Sequence, residues 1–330
     1  MLINRDGWQY SGKTPAFFSG QAGCYCCGVG IGSLVSFYGA KSPGAVRIRD
    51  VDSYVIDSWT SKTDGTAPAR TDQASATVQG VAYVFGGTET TSPFFLVANQ
   101  SYVLSTDTFA AKTDMTSSRY RQGGTAISDY AYSFAGGSSA GVPTKTTYQY
   151  DPSANSWSTK TDTPSPPREF TVAFTISTKG YLVGGSDDVA PSNVLKDNDE
   201  YDPSGNSWSG KTDCSTKRFA HAGMAIDGKG YIMAGNTGLG VLIGSCEEYN
   251  ASGNSWTTKT DLDTTVPLSP DRYLTAGCSP GSTSEGFLTA GFTTVAVDNH
   301  NQYTPSTDSW AVRSAIPTPA RYFHTCAESV

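Results

Sequence analysis

The stretch YDPSGNSWSGKTD, residues 201–213, decides the fold because it recurs along the chain. Close copies stand as YDPSANSWSTKTD at residues 150–162 and as YNASGNSWTTKTD at residues 249–261. An aromatic residue fills the position of Trp208 six times, at intervals of 48 to 54 residues: Trp59, Phe109, Trp157, Trp208, Trp256 and Trp310. A period of this length indicates a repeated structural unit and not a single catalytic motif.

Each unit carries two further landmarks upstream of that aromatic. A second aromatic leads into a short apolar run and a pair of small residues, as in GYLVGG around Tyr181 and GYIMAG around Tyr231. Glycine after an apolar run permits a positive φ and a close approach of two backbones where strands bend. Farther upstream, an arginine begins what we interpret as the first strand of a unit: Arg70, Arg119, Arg168, Arg218, Arg272 and Arg321.

Each unit therefore predicts four short strands, of which the outer one contains the Trp. The DPSGNS segment predicts the turn between the third and fourth strands, because Asx residues and glycine favour tight turns. A four-stranded repeat of this length, with a small-residue pair and spaced Tyr and Trp, resembles the kelch repeat. The resemblance covers roughly residues 20–330 and implies a β-propeller.

We predict an all-β, six-bladed kelch-type propeller in which residues 20–330 form a single domain and residues 1–19 an extension. The C-terminal strand after Arg321 is expected to close the ring as the inner strand of the N-terminal blade, beside a second strand at residues 23–30, GCYCCGVG. Closure of this kind removes two exposed strand edges. Residues 14–23 compete for the same inner position, so the first residues are either an anchoring extension or part of a blade.

Composition argues against several classes of function. A formal net charge of -7 without a lysine run argues against nucleic-acid binding, which needs a basic surface. Charges and glycines interrupt the first 27 residues, so neither a secretory signal nor membrane insertion is expected. We expect synthesis in a reducing cytoplasm, with later incorporation into a virus particle or an extracellular assembly left open. The 7 cysteines leave at least one thiol unpaired.

Loop lengths vary on one face of the predicted ring. The gap from the second-strand aromatic to the third-strand tyrosine ranges from 16 to 29 residues, whereas Tyr and Trp are seven residues apart in five units. Variable loops on a rigid scaffold commonly carry binding residues. We therefore expect contacts with a protein partner from Phe37 and Tyr38 in one long loop and from Phe94 in another. A third long loop starts at Asp261, and the alternative is that all three cover their own blades.

The six arginines enter their strands from the same face, so they are expected to surround the mouth of the channel. One interpretation is a ring of guanidiniums that holds an acidic peptide or another anion by bidentate contacts. The other is that each arginine bonds carbonyls and acids of its own or the next blade. Repetition in every unit favours the structural interpretation.

Few residues suggest catalysis or metal binding. The KTD triplets, such as Lys211–Asp213, recur one per blade, too far apart for groups that must touch, so we expect them to stabilise turns. The kelch resemblance extends to copper oxidases, which need a Cys–Tyr pair and two histidines. No local motif around His221 or His324 matches that set. We therefore expect no enzyme activity, no cofactor and no metal.

The cysteines near the N-terminus also invite a metal interpretation. Strand alternation would place Cys24 and Cys26 on one side and Cys27 on the other, which is poor geometry for a tetrahedral site that includes Cys326. Buried thiols are the expectation. A disulfide between Cys326 and either Cys24 or Cys26 remains the alternative.

These observations favour a non-catalytic protein-binding or structural scaffold. A propeller with a short extension would suit a component of a larger assembly, such as a virion or an appendage, docked through its N-terminal segment. The alternative that the kelch resemblance implies is a carbohydrate-binding propeller or a kelch-fold oxidase with its ligand at the channel mouth.

Overall fold

The structure, a computed structural model, describes residues 33–39, 48–55, 58–63, 70–89, 94–139, 142–187, 193–238, 240–262, 271–280, 283–317, 322 and 325–329. Within these residues the strands form six four-stranded sheets, which we call blades 1 to 6. In the same part of the chain, no helix has the length and apolar composition needed to cross a bilayer.

The strands follow one another in chain order through the blades. Blade 1 contains β1 (Ser33–Gly39), β2 (Ile48–Val55) and β3 (Ser58–Lys62). Blade 2 contains β4 (Ala74–Val78), β5 (Val81–Phe85), β6 (Asn99–Val103) and β7 (Thr108–Lys112). Blade 3 contains β8 (Gly123–Ile127), β9 (Tyr130–Phe134), β10 (Thr147–Asp151) and β11 (Ser156–Lys160).

The second half repeats the pattern. Blade 4 contains β12 (Val172–Ile176), β13 (Lys179–Val183), β14 (Asn198–Asp202) and β15 (Ser207–Lys211). Blade 5 contains β16 (Ala222–Ile226), β17 (Lys229–Met233), β18 (Cys246–Asn250) and β19 (Ser255–Lys259). Blade 6 contains β20 (Ala276–Cys278), β21 (Gly286–Phe292), β22 (Ala296–Thr304) and β23 (Ser309–Arg313). The last strand in the chain, β24 (Thr325–Ser329), is the fourth strand of blade 1.

The predicted ring of six homologous blades is corrected to five regular blades and one composite sheet. Blades 2 to 6 each consist of four consecutive strands, whereas the remaining sheet has the order β24-β1-β2-β3. The strand that pairs with β24 is β1, and not the expected stretch at residues 23–30. Residues 1–19, 14–23 and 23–30 all lie outside the described residues.

The register of the third strand explains this correction. In a regular blade the third-strand tyrosine pairs with the residue just before the second-strand aromatic, as Tyr201 does with Gly180. In blade 1 Tyr54 pairs with Leu34, so the aliphatic Val35 takes the place of the expected aromatic. The prediction took Tyr25 as the aromatic landmark of this strand, and it therefore placed the strand ten residues too early.

Aromatic residues of the repeat pack between neighbouring blades. The ring centroids of Tyr201 and Trp208 in blade 4 lie 5.6 and 4.9 Å from that of Phe134 in blade 3. Tyr201 also lies 5.6 Å from Tyr132, and both tyrosines are buried. Aromatic pairs of this kind contribute about 0.5–1.5 kcal/mol each beyond the burial of their surface. The Tyr and Trp recur because no blade can bury its own faces alone.

The repeated phrase also clamps each blade to the preceding one. The Oδ1 of Asn206 accepts the backbone N–H of Thr161 at 3.0 Å, and Trp208 Nε1 donates to the carbonyl oxygen of Thr161 at 3.0 Å. The hydroxyl of Tyr201 donates to Asn206 and orients its amide. The KTD triplet, expected to stabilise its own turn, thus offers a threonine backbone to the next blade. The same acceptor position is filled in the other regular blades by Asp107, Asn155, Asn254 and Asp308.

The small residues that end the second strands match the size of a side chain in the next blade. A Cβ at Gly184, whose φ is +61°, would lie 2.9 Å from Cε1 of His221. A Cβ at Gly86 would lie 2.6 Å from Nε2 of Gln122. In blades 3 and 5 alanine stands in this position, and the corresponding next-blade residue is a threonine: Ala135 with Thr171, and Ala234 with Thr275. In blade 6 Ala290 corresponds by sequence to His324, so a smaller neighbour accompanies two of the three alanines.

A chain of backbone hydrogen bonds runs around the axis at the arginine end of the first strands. It joins N–H to carbonyl oxygen between successive blades at 2.7 to 3.0 Å, and every residue in it is buried with φ between +54° and +57°. We call these residues the axial ring: Asp72, Arg121, Phe170, Ala220 and Leu274. These bonds link the five regular blades to one another at this end of the axis.

Candidate functional site

The described repeat arginines lie at the end of the axis where the axial ring runs, and they are buried. Arg218 donates to the carbonyl oxygens of Ala234 and Ser245 and to Oε1 of Glu247, the last at 2.6 Å. The other described arginines also bond third-strand side chains of their own blades: Arg70 with Gln100, Arg119 with Tyr148, Arg168 with Asp199, and Arg272 with Asn301. None of these five offers its guanidinium at the surface. Arg321 lies outside the described residues.

Sequence reasoning missed a second arginine that links three blades. Arg121 Nε lies 3.3 Å from Oδ1 of Asp72 in blade 2, and Nη1 lies 3.1 Å from Oε1 of Glu169 in blade 4. Its guanidinium also stacks 4.0 Å from the ring centroid of Phe170. The position two residues after the repeat arginine is not conserved between units, and arginine stands there in one unit alone, so the repeat pattern carries no signal for this network.

The loops between second and third strands form the face at the arginine end, which we call the loop face. Four residues on it share one position, since the carbonyl of each closes its loop by a backbone hydrogen bond. All four are apolar, with exposed fractions of 40%, 50%, 56% and 62%, and we call them the apolar tips: Phe94, Val142, Val241 and Val295. Blade 4 has Asn193 at this position. Sequence reasoning found Phe94 but missed the three valines.

Other residues expected on this face lie elsewhere. Phe37 and Tyr38 are part of β1, which pairs with β2 and β24, so the prediction that they lie in a long loop is wrong. Phe95 turns inward and stacks on Tyr120, with ring centroids 5.2 Å apart. The long loop that starts at Asp261 continues through residues 263–270, which lie outside the described residues.

A cavity opens at the opposite end of the axis, on the face formed by the turns between first and second strands. We call this the turn face. The cavity has a volume of about 520 Å³. Two layers of side chains line it: a floor of Thr77, Ala126, Thr175, Ala225 and Ser279, and a rim that includes Gln79, Ser128, Ser177, Asp227 and Thr283. The sequence prediction judged this face to be uniform and structural because its turns do not vary in length.

Hydroxyl groups dominate the cavity, and its charge is negative. Asp227 is the charged side chain among the described lining residues, and it accepts a hydrogen bond from Ser284 at 3.2 Å. Two lysines from the same set of turns lead away from the cavity to carboxylates of their own blades, Lys179 to Asp202 and Lys229 to Glu248. The described part of the cavity wall therefore carries hydroxyl groups and one carboxylate.

The described histidines are buried groups of the core. Burial lowers the pKa of His221 well below its usual value, and the nearby Arg218 lowers it further, so the imidazole is neutral. Burial also lowers the pKa of His300 to about 3, and its ring stacks on Phe287. Within the described ranges, no group of three or more His, Cys, Asp or Glu side chains is placed to hold a metal ion. His324 lies outside these ranges.

The described cysteines include free thiols and a disulfide-bonded residue. Cys214 and Cys246 are buried free thiols, and burial raises the pKa of Cys214 to about 12 although Arg218 opposes the shift. Cys278 in β20 forms a disulfide bond. The side chains of the N-terminal cysteines and of Cys326 lie outside the description.

Comparison with known proteins agrees with this architecture. Residues 31–235 match the family model described as the KLHDC2/KLHL20/DRC7 Kelch-repeats domain. A solved structure titled "Structure of YjhT" superposes with a TM-score of 0.71 at 15% sequence identity, covering 91% of this chain and 99% of the other. At that identity the likeness concerns the fold alone. No curated protein matches the sequence.

Proposed function

The chain belongs to the Kelch-repeat family, and from this premise we propose that it is a non-catalytic scaffold that binds a protein partner through its loop face. Kelch domains commonly mediate interactions between proteins. The loops of such scaffolds tolerate variation because the blades beneath them are rigid. The variable loops of this chain lie on the loop face.

The apolar tips are the observation that carries the proposal. Single apolar residues are normal on a protein surface, so the support for the proposal is that one structural position is apolar and exposed in four blades. Phe94, Val142, Val241 and Val295 stand at one structural position in four blades and are all exposed. An aromatic anchor beside aliphatic contacts is typical of protein interfaces.

The arginine end offers less support for the alternative functions. Both the oxidase and the sugar-binding hypotheses place a ligand at that channel mouth. There the axial ring links the five regular blades, and the described repeat arginines are buried. A binding surface on the loops above the ring needs no opening.

Replacing the apolar tips tests the proposal. The variant carries Phe94→Asn, Val142→Asn, Val241→Asn and Val295→Asn, which copy the residue that blade 4 has at Asn193. Immobilised wild-type and variant chains are compared for proteins retained from an extract of the cells that express the chain. We expect a retained protein to be lost from the variant while the unfolding temperature changes little, since all four sites are exposed.

The matched control is Val312→Asn on the outer strand β23, where the side chain is also exposed. This control should keep the same retained protein as the wild type. Equal retention by the tip variant and the wild type would contradict the proposal.

A narrower hypothesis concerns the partner. We propose that the scaffold is a component of a larger assembly, such as a virion or an appendage, and docks through its N-terminal segment. A chain without residues 1–19 should then fail to enter its native particle, as measured by co-sedimentation. Unchanged incorporation would remove the segment from consideration as an anchor.

A further inference from the structure

We propose that Cys278 forms its disulfide bond with Cys326, and that this bond links the last strand, β24, to blade 6. Cys278 is fully buried in β20 and is disulfide-bonded. Since Cys214 and Cys246 are free thiols, its partner is one of the remaining cysteines: Cys24, Cys26, Cys27 and Cys326. The proposal concerns closure of the ring and does not rest on the proposed binding function.

The repeat arginine gives every first strand a common count of positions. Each first strand begins four residues after its arginine, and β24, which takes the place of a first strand in blade 1, does so after Arg321. On this count Cys278 is the sixth residue after Arg272, and Cys326 is the fifth residue after Arg321. The two strands that carry these cysteines, β20 and β24, contact each other.

The boundary between blades 5 and 6 shows which positions meet. A Cβ at Gly277, the fifth position of blade 6, would lie 3.0 Å from the Cβ of Ala222 and 2.7 Å from Cε of Met224. Those two residues are the fourth and sixth positions of blade 5. The fifth position of a first strand therefore faces the fourth and sixth positions of the preceding blade.

The boundary between blades 4 and 5 repeats this relation. A Cβ at Gly223, a fifth position, would lie 3.1 Å from the Cβ of Val172 and 3.4 Å from Cδ1 of Phe174, again a fourth and a sixth position. At the boundary between blades 6 and 1, the same relation sets the position of Cys326 opposite that of Cys278. Because a disulfide joins residues whose Cα atoms lie within about 7 Å of each other, facing positions on packed strands suit one.

This bond lies at the boundary where the ring closes, between blades 6 and 1. β24 pairs with β1, with Ser33 opposite Ser329 and Phe37 opposite Thr325, so it belongs to blade 1. The disulfide attaches the same strand to blade 6. Opening of the ring at this boundary then requires β24 to part from β1.

Closure of the ring therefore depends on the redox state of one cysteine pair. Two thiols lose two protons and two electrons as the sulfur–sulfur bond forms, and a small disulfide such as oxidised glutathione takes them up and becomes two thiols. A dithiol reductant reverses the exchange. The oxidised chain is accordingly the more stable form.

Tryptic peptides of the full chain identify the pairing. The chain is treated with oxidised glutathione, its free thiols are alkylated under denaturing conditions, and it is digested without reductant. Cleavage after lysine and arginine puts Cys278 in peptide 273–313, Cys326 in peptide 322–330 and the three N-terminal cysteines in peptide 14–41. We expect mass spectrometry to find 273–313 joined to 322–330. A link to 14–41, no link, or a disulfide-linked dimer on a non-reducing gel would overturn the proposal.

Variants measure what the bond contributes to stability. Cys278→Ser and Cys326→Ser should each lower the unfolding temperature by about 5 °C or more, since each releases the same closed loop. The double variant should unfold at about the same temperature as either single variant, because one bond can be lost only once. The matched control is Cys214→Ser, which alters a buried free thiol and should leave the linked peptides in place.

Reduction gives the same comparison without a substitution. Wild-type chain refolded in a dithiol reductant should unfold at a temperature lowered by about the same 5 °C or more, whereas the reductant should not change Cys326→Ser. Additive losses in the double serine variant, or a wild type whose stability ignores refolding in reductant, would contradict the proposal. The peptide map uses the wild type, so it decides the pairing even if a serine variant fails to fold.

Discussion

The side chain of Asn206 in blade 4 accepts the backbone N–H of Thr161 in blade 3, and this bond recurs at every boundary that precedes a regular blade. The neighbouring Trp208 binds the carbonyl of the same threonine. The backbone N–H and the carbonyl oxygen of Thr161 are therefore both hydrogen-bonded to side chains of blade 4. The repeated phrase therefore encodes the joint between two blades as well as a turn within one.

Asn206→Ala removes two hydrogen bonds, from Thr161 N–H and from the Tyr201 hydroxyl. It also places alanine at a φ of +45°, which asparagine tolerates better. We expect a loss of about 2 kcal/mol in the free energy of unfolding, measured by denaturant titration. Asn206→Asp keeps the acceptor, as at Asp107, and should cost much less at neutral pH. A cost for alanine no larger than for aspartate would contradict the clamp.

The two clamp aspartates predict a loss of stability in acid. Burial alone would raise the pKa of Asp107, but bonds from Thr63 and Tyr102 outweigh it and hold the pKa below its usual value. The pKa of Asp308 is lowered in the same way, against burial, by Tyr303 and Thr260. The stabilisation is therefore present above the unfolded pKa, about 3.9, and is lost as pH falls through the folded value.

The variant Asp107→Asn/Asp308→Asn keeps both acceptor oxygens and removes both titrating groups. Between about pH 5 and pH 3 it should lose less stability than the wild type, as followed by denaturant titration at each pH. The single variant Asp129→Asn, on the exposed turn between β8 and β9, serves as the comparison. Identical slopes for the wild type and the double variant would rule the clamp out as a source of acid sensitivity.

The match between small residues and their next-blade neighbours predicts a compensating pair. Gly184→Ala brings a Cβ to 2.9 Å from His221 and should destabilise the chain by about 2 kcal/mol. His221→Thr in the same chain should recover most of that loss, because blades 3 and 5 already combine alanine with threonine. The N–H of Gly185, the residue after Gly184, donates to the carbonyl oxygen of Arg218. The equivalent bond exists in blades 3 and 5, where alanine takes the position of Gly184, so the Arg218 carbonyl does not exclude alanine there.

A double-mutant cycle of thermal or denaturant unfolding measures this coupling. If the changes in unfolding free energy of Gly184→Ala and His221→Thr simply add in the double variant, the two side chains do not compete for space.

The buried repeat arginines predict effects on stability. Arg218→Met leaves the carboxylate of Glu247 buried without its guanidinium, at a cost of about 3–5 kcal/mol. Arg218→Met/Glu247→Gln removes that buried charge and should be the more stable of the two variants. The measurement is the unfolding free energy, and a single variant as stable as the wild type would contradict a structural role.

Much of the architecture follows from spacing alone. Four-stranded units, the arginine that begins each first strand and the burial of Tyr201 between blades are all readable from recurring residue types. Blade 1 was misplaced because Val35 replaces the aromatic landmark, and register depends on backbone pairing and not on one side chain. For the same reason, the prediction placed Phe37 and Tyr38 in a loop, whereas they lie in strand β1.

The candidate sites divide in a similar way. Phe94 was visible as an aromatic in a variable loop, whereas Val142, Val241 and Val295 carry no local signal, and their common position emerges from the bonds that close each loop. The cavity on the turn face, the axial ring and the link from Arg121 to Asp72 and Glu169 join residues about 50 positions apart. Periodicity specifies one blade at a time because strands and turns are local. Closing the blades around an axis brings unlike residues together, and those contacts exist only once the ring has formed.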